Sequence, residues 1–272
     1  MNVLSLFDGL SGGNIALARL GIQVDNYFAS EIDENAIQIA KNNYPDIIEL
    51  GDVTKVDGYA LPKIDLVLAG SPCQGFSRAG KGLALEDERS KLFFEFVRLL
   101  KETKPTYFLL ENVLMKKEDK QTITDLLGVE PIEIDSALVS AQRRKRLYWT
   151  NIPNVTQPED RGIMFKSILD DEPWRDIPKF AYGKFGDRDR MDDLNWTENI
   201  KSNTLTTKCS HTTQYLLNEN KTQCRLMTSR EWERLQTLPE GYTDCVSKTK
   251  ACHAIGNGWT IDVITHILKG LK

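Results

Sequence analysis

Apolar positions in the first 110 residues alternate between two textures. Short continuous runs fall at residues 3–7, 27–30, 64–70 and 107–110, and runs of that length suit parallel strands covered on both faces. Between them the apolar residues recur at helical spacing. Ile37, Ala40 and Tyr44 share one face, with Pro45 closing the helix, and Leu92, Phe93, Phe96, Leu99 and Leu100 repeat the pattern. Alternating strands and helices predict βαβ units and a parallel α/β sheet. Leu147-Tyr148-Trp149 reads as one more strand.

Beyond Asn151 the texture changes. Residues 158–227 are polar, with scattered aromatics and no sustained period, the mark of a small irregular domain or a set of insertions. The helical pattern returns at Thr228-Ser229-Arg230-Glu231, a capping-box sequence, and Trp232, Leu235 and Leu238 then share a face. Ile264, Ile267, Leu268 and Leu271 close the chain at helical spacing. The expected layout is a large α/β domain over 1–157, a polar region over 158–227, and a return to the first domain over 228–272.

Composition narrows the classes. With 272 residues, 40% hydrophobic and 27% charged, the chain is ordinary globular material. No apolar run nears the roughly 18–20 residues of a membrane span, and the first strand begins too close to Met1 to leave room for a signal peptide. No membrane partner is expected. Five cysteines without close pairs do not form a disulfide framework, which points to a reducing cytoplasm. Cys209, Cys224, Cys245 and Cys252, with His211 and His253, lack the close pair of a zinc ribbon, so no metal is expected.

Candidate chemistry lies at the strand ends, where open α/β sheets bind ligands. The first end is Phe7-Asp8-Gly9-Leu10-Ser11-Gly12-Gly13, a glycine-rich turn that lets backbone approach a ligand. The second offers Glu31 and Asp33; Glu31 is the better ribose partner and Asp33 the better helix cap. The third is Asp52, which taken singly is a turn residue. Three such ends in series favour an adenosine-containing cofactor. After the fourth strand comes Ser71-Pro72-Cys73-Gln74-Gly75-Phe76-Ser77-Arg78, with Cys73 at the mouth of a glycine-hinged loop. The fifth end is Glu111-Asn112-Val113, and a carboxyl leaving so apolar a strand suits proton donation. Gln142-Arg143-Arg144-Lys145-Arg146 leads into the next strand, where alternate arginines can be aimed at one site.

Taken in order, these elements resemble the DNA (cytosine-5)-methyltransferase family, in its bacterial and phage wording with some likeness to the animal de novo-type enzymes. The turn at 7–13 resembles the cofactor loop, Ser71-Pro72-Cys73-Gln74 the nucleophile motif, Glu111-Asn112-Val113 the acid motif, and Gln142 to Arg146 the Gln-x-Arg-x-Arg element. Arg225-Leu226-Met227-Thr228, Glu231 and Arg234-Leu235-Gln236 resemble the helix after the target-recognition region, and Gly256-Asn257 the closing motif. Asp8, Ser11 and the Gly258-Trp259 continuation depart from the commoner bacterial residues.

The resemblance implies a Rossmann-like S-adenosylmethionine-dependent sheet with 158–227 as a target-recognition insertion. It implies methyl transfer from S-adenosylmethionine to carbon 5 of a flipped-out cytosine in double-stranded DNA, leaving S-adenosylhomocysteine. Cys73 is then the nucleophile, Glu111 the acid, and Arg144 the cation at the base's O2. Cofactor-side residues are Phe7 against the adenine, Asp8, Gly9, Ser11, Gly12, Glu31 at the ribose, Ile32, Asp52 toward the adenine amine, Val53, Ser71, Pro72, Asn257 and Gly258. Gln74, Ser77, Arg78 and Arg146 are DNA-side. Thr204, Leu205 and Thr206 resemble the family's Thr-Leu element beside the target nucleotide, and read equally well as a Thr-rich strand. A monomer is expected, nucleoid-associated in the cytoplasm of a bacterial or phage-infected cell, with a cognate restriction endonuclease as a candidate partner. A tRNA cytosine methyltransferase shares most of these motifs. A catalytically silent DNA-binding relative is disfavoured by the filled nucleophile, acid and arginine positions. A dinucleotide oxidoreductase would give Cys73 and Glu111 no joint task.

Net charge speaks less clearly than it first does. The total is −4 with a pI near 5.6, which by itself argues against nucleic acid. Residues 1–141 hold 14 basic against 22 acidic side chains, whereas 142–272 hold 21 against 17. A phosphate backbone responds to the local basic face, so the acidic total does not exclude DNA.

Overall fold

The computed structural model describes residues 1–71, 88–176, 195–196, 200–206, 215–220 and 222–272. The chain divides into two compact units. The first comprises Met1–Ile134, Lys145–Gln157 and Ile264–Lys272, and the second Asp135–Arg144 and Pro158–Val263.

The first unit is built on a seven-stranded sheet: β1 (Asn2–Leu6), β2 (Asn26–Ser30), β3 (Ile48–Glu49), β4 (Leu66–Gly70), β5 (Tyr107–Val113), β6 (Ile132–Asp135) and β7 (Lys145–Thr150), in the order β3-β2-β1-β4-β5-β7-β6. β1 pairs in parallel with β2 and with β4, and β4 in parallel with β5. The order reverses between β1 and β4, and open α/β sheets hold their ligand crevice at such a switch point, beyond the carboxyl ends of the strands. The interior is closed by Leu4, Leu6, Phe28, Val67, Leu110 and Trp149 with Phe93, Phe96 and Leu99 of α3 (Glu88–Thr103). α1 (Gly12–Arg19) follows β1, and α2 (Glu34–Asn43) follows β2 with its first turn capped by the Asp33 carboxylate. α4 (Lys117–Leu127) ends at Gly128 in the left-handed conformation, φ 69°.

The second unit holds a four-stranded sheet of β8 (Arg175–Asp176), β9 (Asn195–Trp196), β10 (Tyr215–Leu217) and β11 (Gln223–Leu226), in the order β8-β11-β10-β9. α5 (Ser229–Leu235) carries the expected capping box: Thr228 accepts from the Glu231 N–H while Glu231 accepts from the Thr228 N–H. α5 packs on α6 (Lys248–Asn257), burying Trp232, Leu235, Cys252 and Ile255. α7 (Ile261–Leu268) ends the chain's regular helices.

Four features differ from the sequence reading. β7 runs antiparallel to β5, because an apolar run carries no information about strand direction. That partner also extends β5 past Leu110, pairing Glu111 with Tyr148 and Val113 with Arg146, so Glu111 lies within a strand and not beyond its end. The polar stretch contains strands of only two to four residues, too short to show a period. Residues 228–263 group with the second unit, and the chain rejoins the first at Ile264, because the apolar face of α5 is buried against α6.

Candidate active site

The turn after β1 is a chain of left-handed residues. Phe7, Gly9 and Ser11 have φ of 55°, 58° and 56°, and for Phe and Ser that conformation costs about 1 kcal/mol or more each. The end of β2 holds it in place. The Asp8 N–H donates to Ser30 O at 3.2 Å, and the Gly9 N–H donates to Glu31 Oε2 at 2.8 Å. The Tyr27 hydroxyl donates to Asp8 Oδ1 at 2.8 Å. Asp8 therefore turns its carboxyl inward to Tyr27. Burial raises that carboxyl to about 7, against partial offsets from the neighbouring Ser5, Tyr27 and Ser11 hydroxyls. Burial also raises the Tyr27 phenol well above its usual value. Ser5 Oγ and Ser11 Oγ are buried and make no hydrogen bond of ordinary geometry. Gly13 leaves room for close packing, since a Cβ there would come within 2.3 Å of Leu68 Cδ1 and 2.9 Å of the Tyr27 hydroxyl and would force those side chains to shift.

Glu31 has a second task besides holding the turn: its Oε1 accepts from the Ile32 N–H at 2.7 Å and the Asp33 N–H at 2.9 Å. Ile32 itself is 74% exposed. Asp52 caps a short 3-10 turn over Val53–Lys55, accepting from the Thr54 N–H and hydroxyl. Those bonds hold the half-buried Asp52 carboxyl below its usual range. The Val53 side chain belongs to the core, which leaves its backbone as the part able to face a ligand. Ser30 Oγ donates to Gly51 O at 2.7 Å, linking the ends after β2 and β3.

At the other side of the crevice Gly70 of β4 sits opposite Glu111 of β5. The Asn112 amide donates to Ser71 Oγ at 3.1 Å, so the acid motif fixes the residue from which the nucleophile segment departs. Pro72, Cys73, Gln74, Ser77 and Arg78 lie outside the described residues. Glu111 is buried at 9% exposure, and its Oε1 pairs with Arg146 Nε at 3.0 Å.

The two expected arginines thus have different surroundings. Arg146, read as DNA-side, lies on the acid. Arg144, read as the cation for the base's O2, is buried in the second unit with its guanidinium on backbone: Nη1 donates to Leu205 O at 3.0 Å, and Nη2 to Gly256 O at 3.3 Å and Gly258 O at 3.1 Å. Leu205 is buried, Thr204 is half-buried with its hydroxyl donating to Arg143 O, and Thr206 is exposed. Asn257 ends α6 and Gly258 caps it. Of the expected residues, Phe7 to Gly12, Glu31, Ile32, Asp52, Val53, Ser71, Glu111 and Arg146 fall in the first unit, and Arg144, Thr204 to Thr206, Asn257 and Gly258 in the second. Sequence reasoning missed Tyr27, which bonds Asp8 of the 7–13 turn, and its place in the β2 run that leads to Glu31 was the available signal. Among the described residues no cluster suits a metal ion, and no helix is long and apolar enough to cross a membrane.

Residues 1–159 and 116–272 match the family model for C-5 cytosine-specific DNA methylases, which together span the chain. The chain belongs to this family. The family is that of the C-5 cytosine-specific DNA methylases, which makes this chain a DNA cytosine methyltransferase. A type II methyltransferase of Lactococcus lactis subsp. cremoris, M1.ScrFI, is 33% identical over 96% of this chain and 75% of its own length. The type II methyltransferase M.NgoBV of Neisseria gonorrhoeae is 37% identical over 61% of this chain and 46% of its own length. The match to that relative thus spans about half of the relative's length. In structure, the Entamoeba histolytica methyltransferase EhMeth superposes with a TM-score of 0.83 at 18% identity, covering 100% of this chain and 99% of that one. That likeness establishes the methyltransferase fold of the mixed sheet.

Proposed function

We propose that this DNA methylase transfers the methyl group of S-adenosylmethionine to carbon 5 of a cytosine turned out of duplex DNA, through a covalent adduct on Cys73. The observation that supports the reading is the largely buried Glu111–Arg146 pair, with Glu111 opposite Gly70, the last residue of the strand that precedes Cys73 in sequence. Carbon 5 of cytosine is a poor nucleophile, and covalent catalysis divides the difficult step. The Cys73 thiolate adds to carbon 6 while Glu111 gives a proton to ring N3, which leaves electron density on carbon 5. S-adenosylmethionine, when bound, supplies the electrophilic methyl group as its sulfonium substituent. A base then takes the proton from carbon 5, the bond to Cys73 breaks as the ring double bond re-forms, and N3 returns its proton to Glu111.

The residues of the first unit fit that cofactor. Glu31 presents a carboxylate for ribose hydroxyls beside the exposed Ile32, at the end of the strand that braces the glycine-rich turn. Phe7 is assigned to the adenine face and Asp52 to its amine. Asp8 is assigned to support the turn through Tyr27. Because Arg146 lies on the acid, we assign it to the charge that develops on the base's O2. A base cannot be reached inside a duplex, so the target nucleotide is extruded. Gln74, Ser77 and Arg78 are assigned to cover it, and the basic residues of the second half to the backbone. Bacterial type II relatives and orphan methyltransferases of Bacillus phages support a cytoplasmic setting in a bacterial or phage-infected cell, and a type II role would pair the protein with a restriction endonuclease.

Radiolabelled S-adenosylmethionine incubated with a plasmid library, followed by bisulfite sequencing, tests this directly. Methylated cytosines in one sequence context are expected. Transfer to tRNA with none to DNA refutes the DNA reading. Duplex DNA carrying 5-fluorocytosine should trap an adduct on Cys73, because fluorine cannot be removed as a proton is; an adduct on any other residue reassigns the nucleophile.

A further inference from the structure

Arg144 sits at the centre of a buried polar network that the reaction itself does not require. Its backbone is fixed first: the Arg144 N–H donates to Asp135 Oδ1 at 2.9 Å, and its carbonyl accepts from the Ser136 N–H at 3.1 Å. From that anchor the guanidinium reaches two segments far apart in sequence, Leu205 and the 256–258 turn. Gln142 completes the grip on Leu205. Its Oε1 accepts from the Leu205 N–H at 2.8 Å, while its amide donates to Leu235 O at 3.1 Å and Gln236 Oε1 at 3.2 Å. Both backbone groups of Leu205 are therefore held by side chains two residues apart. Gln236 completes the grip on the turn, donating to Ile255 O at 3.1 Å and Gly258 O at 3.0 Å. Gln142, Gln236, Arg144 and Leu205 are all buried.

We propose that Arg144 is a positioning residue that joins the Thr204–Leu205–Thr206 segment and the 256–258 turn into one cooperative unit, so that a ligand on either segment stabilises the other. The inference rests on the reading that assigns 204–206 to DNA and Asn257 and Gly258 to the cofactor. The physical reason is the planar guanidinium fork. Five donors in fixed geometry can satisfy three converging carbonyls at once, which a lysine ammonium on a flexible stem cannot. To open either segment alone would strand buried carbonyls or donors, so the two open together. A ligand that binds only the closed form then slows opening of the whole unit.

Amide hydrogen exchange read by mass spectrometry tests this on the wild-type chain. With S-adenosylhomocysteine alone at one hundred times its Kd, exchange at 256–258 and at Leu205 should both slow, by up to about 100-fold. A DNA oligonucleotide alone should slow both in return. Slowing at 256–258 with Leu205 unchanged overturns the proposal. Arg144→Lys keeps the charge and removes the fork. In that variant the response at 256–258 to S-adenosylhomocysteine should remain and the response at Leu205 should disappear; a full response at Leu205 overturns the proposal. If the lysine variant does not fold, the two wild-type measurements still decide. An absence of binding heat with S-adenosylhomocysteine refutes the cofactor reading itself, and calorimetry separates that failure from a failure of coupling. Turnover gives a further readout. Intact affinity for both ligands and intact coupling in Arg144→Lys, with kcat lost, would make Arg144 a catalytic residue and overturn the positioning role.

Discussion

Replacing Asp8 by Asn should make the protein more stable as the pH rises, relative to wild type. Burial raises the Asp8 carboxyl from 3.8 to about 7 in the folded chain. The folded state then binds its proton more tightly than the unfolded state does, so the contribution of this group to stability is greatest below about pH 4 and falls as pH climbs to about 7. At about 1.4 kcal/mol per pH unit, the gap between the two values corresponds to about 4 kcal/mol at pH 8. Asparagine keeps a carbonyl oxygen to accept from Tyr27 and has no charge to desolvate. Urea unfolding followed by tryptophan fluorescence at pH 5, 6, 7 and 8 measures the difference. The stability of Asp8→Asn minus that of wild type should increase by about 2–3 kcal/mol across that range. Other titrating groups are common to both proteins and cancel. Parallel pH profiles would refute the argument, since they would mean that Asp8 titrates alike in both states.

Gly13→Ala should cost about 1–3 kcal/mol in thermal unfolding, because the new methyl meets Leu68 Cδ1 at 2.3 Å and α1 cannot retreat without opening the core. Unchanged stability would mean that the helix shifts freely. Glu231→Gln should cost about 3 kcal/mol or more, since Arg225, at 4% side-chain exposure, loses the carboxylate that receives both of its terminal nitrogens. A thermal melt within experimental error of wild type would count against that pair. Glu111→Gln and Arg146→Ala should each lower kcat at least about 100-fold. Their affinity for S-adenosylhomocysteine should hold, and a loss of that affinity with kcat preserved would contradict the assignments.

The parts of this protein that the sequence alone determined are those governed by local physics. Runs such as Leu66–Gly70 had to be strands covered on both faces, Phe93, Phe96 and Leu99 had to line a buried helix face, and Thr228 with Glu231 had to cap α5, because periodicity and capping act over a few residues. Glu31, Asp52 and Glu111 stood out as candidates for the same reason: each is a carboxylate at or near the end of an apolar run. Pairings between distant segments were not legible. Strand direction in β7, the inward turn of Asp8 to Tyr27, and the gathering of 228–263 into the second unit depend on partners 19 or more residues away. The division of labour between Arg144 and Arg146 shows the difference most directly. Two arginines with one residue between them are equivalent as sequence, yet tertiary packing puts one on Glu111 and commits the other to the carbonyls of Leu205, Gly256 and Gly258. A guanidinium's role is set by the acceptors that folding brings to it, and only the closed tertiary structure brings them.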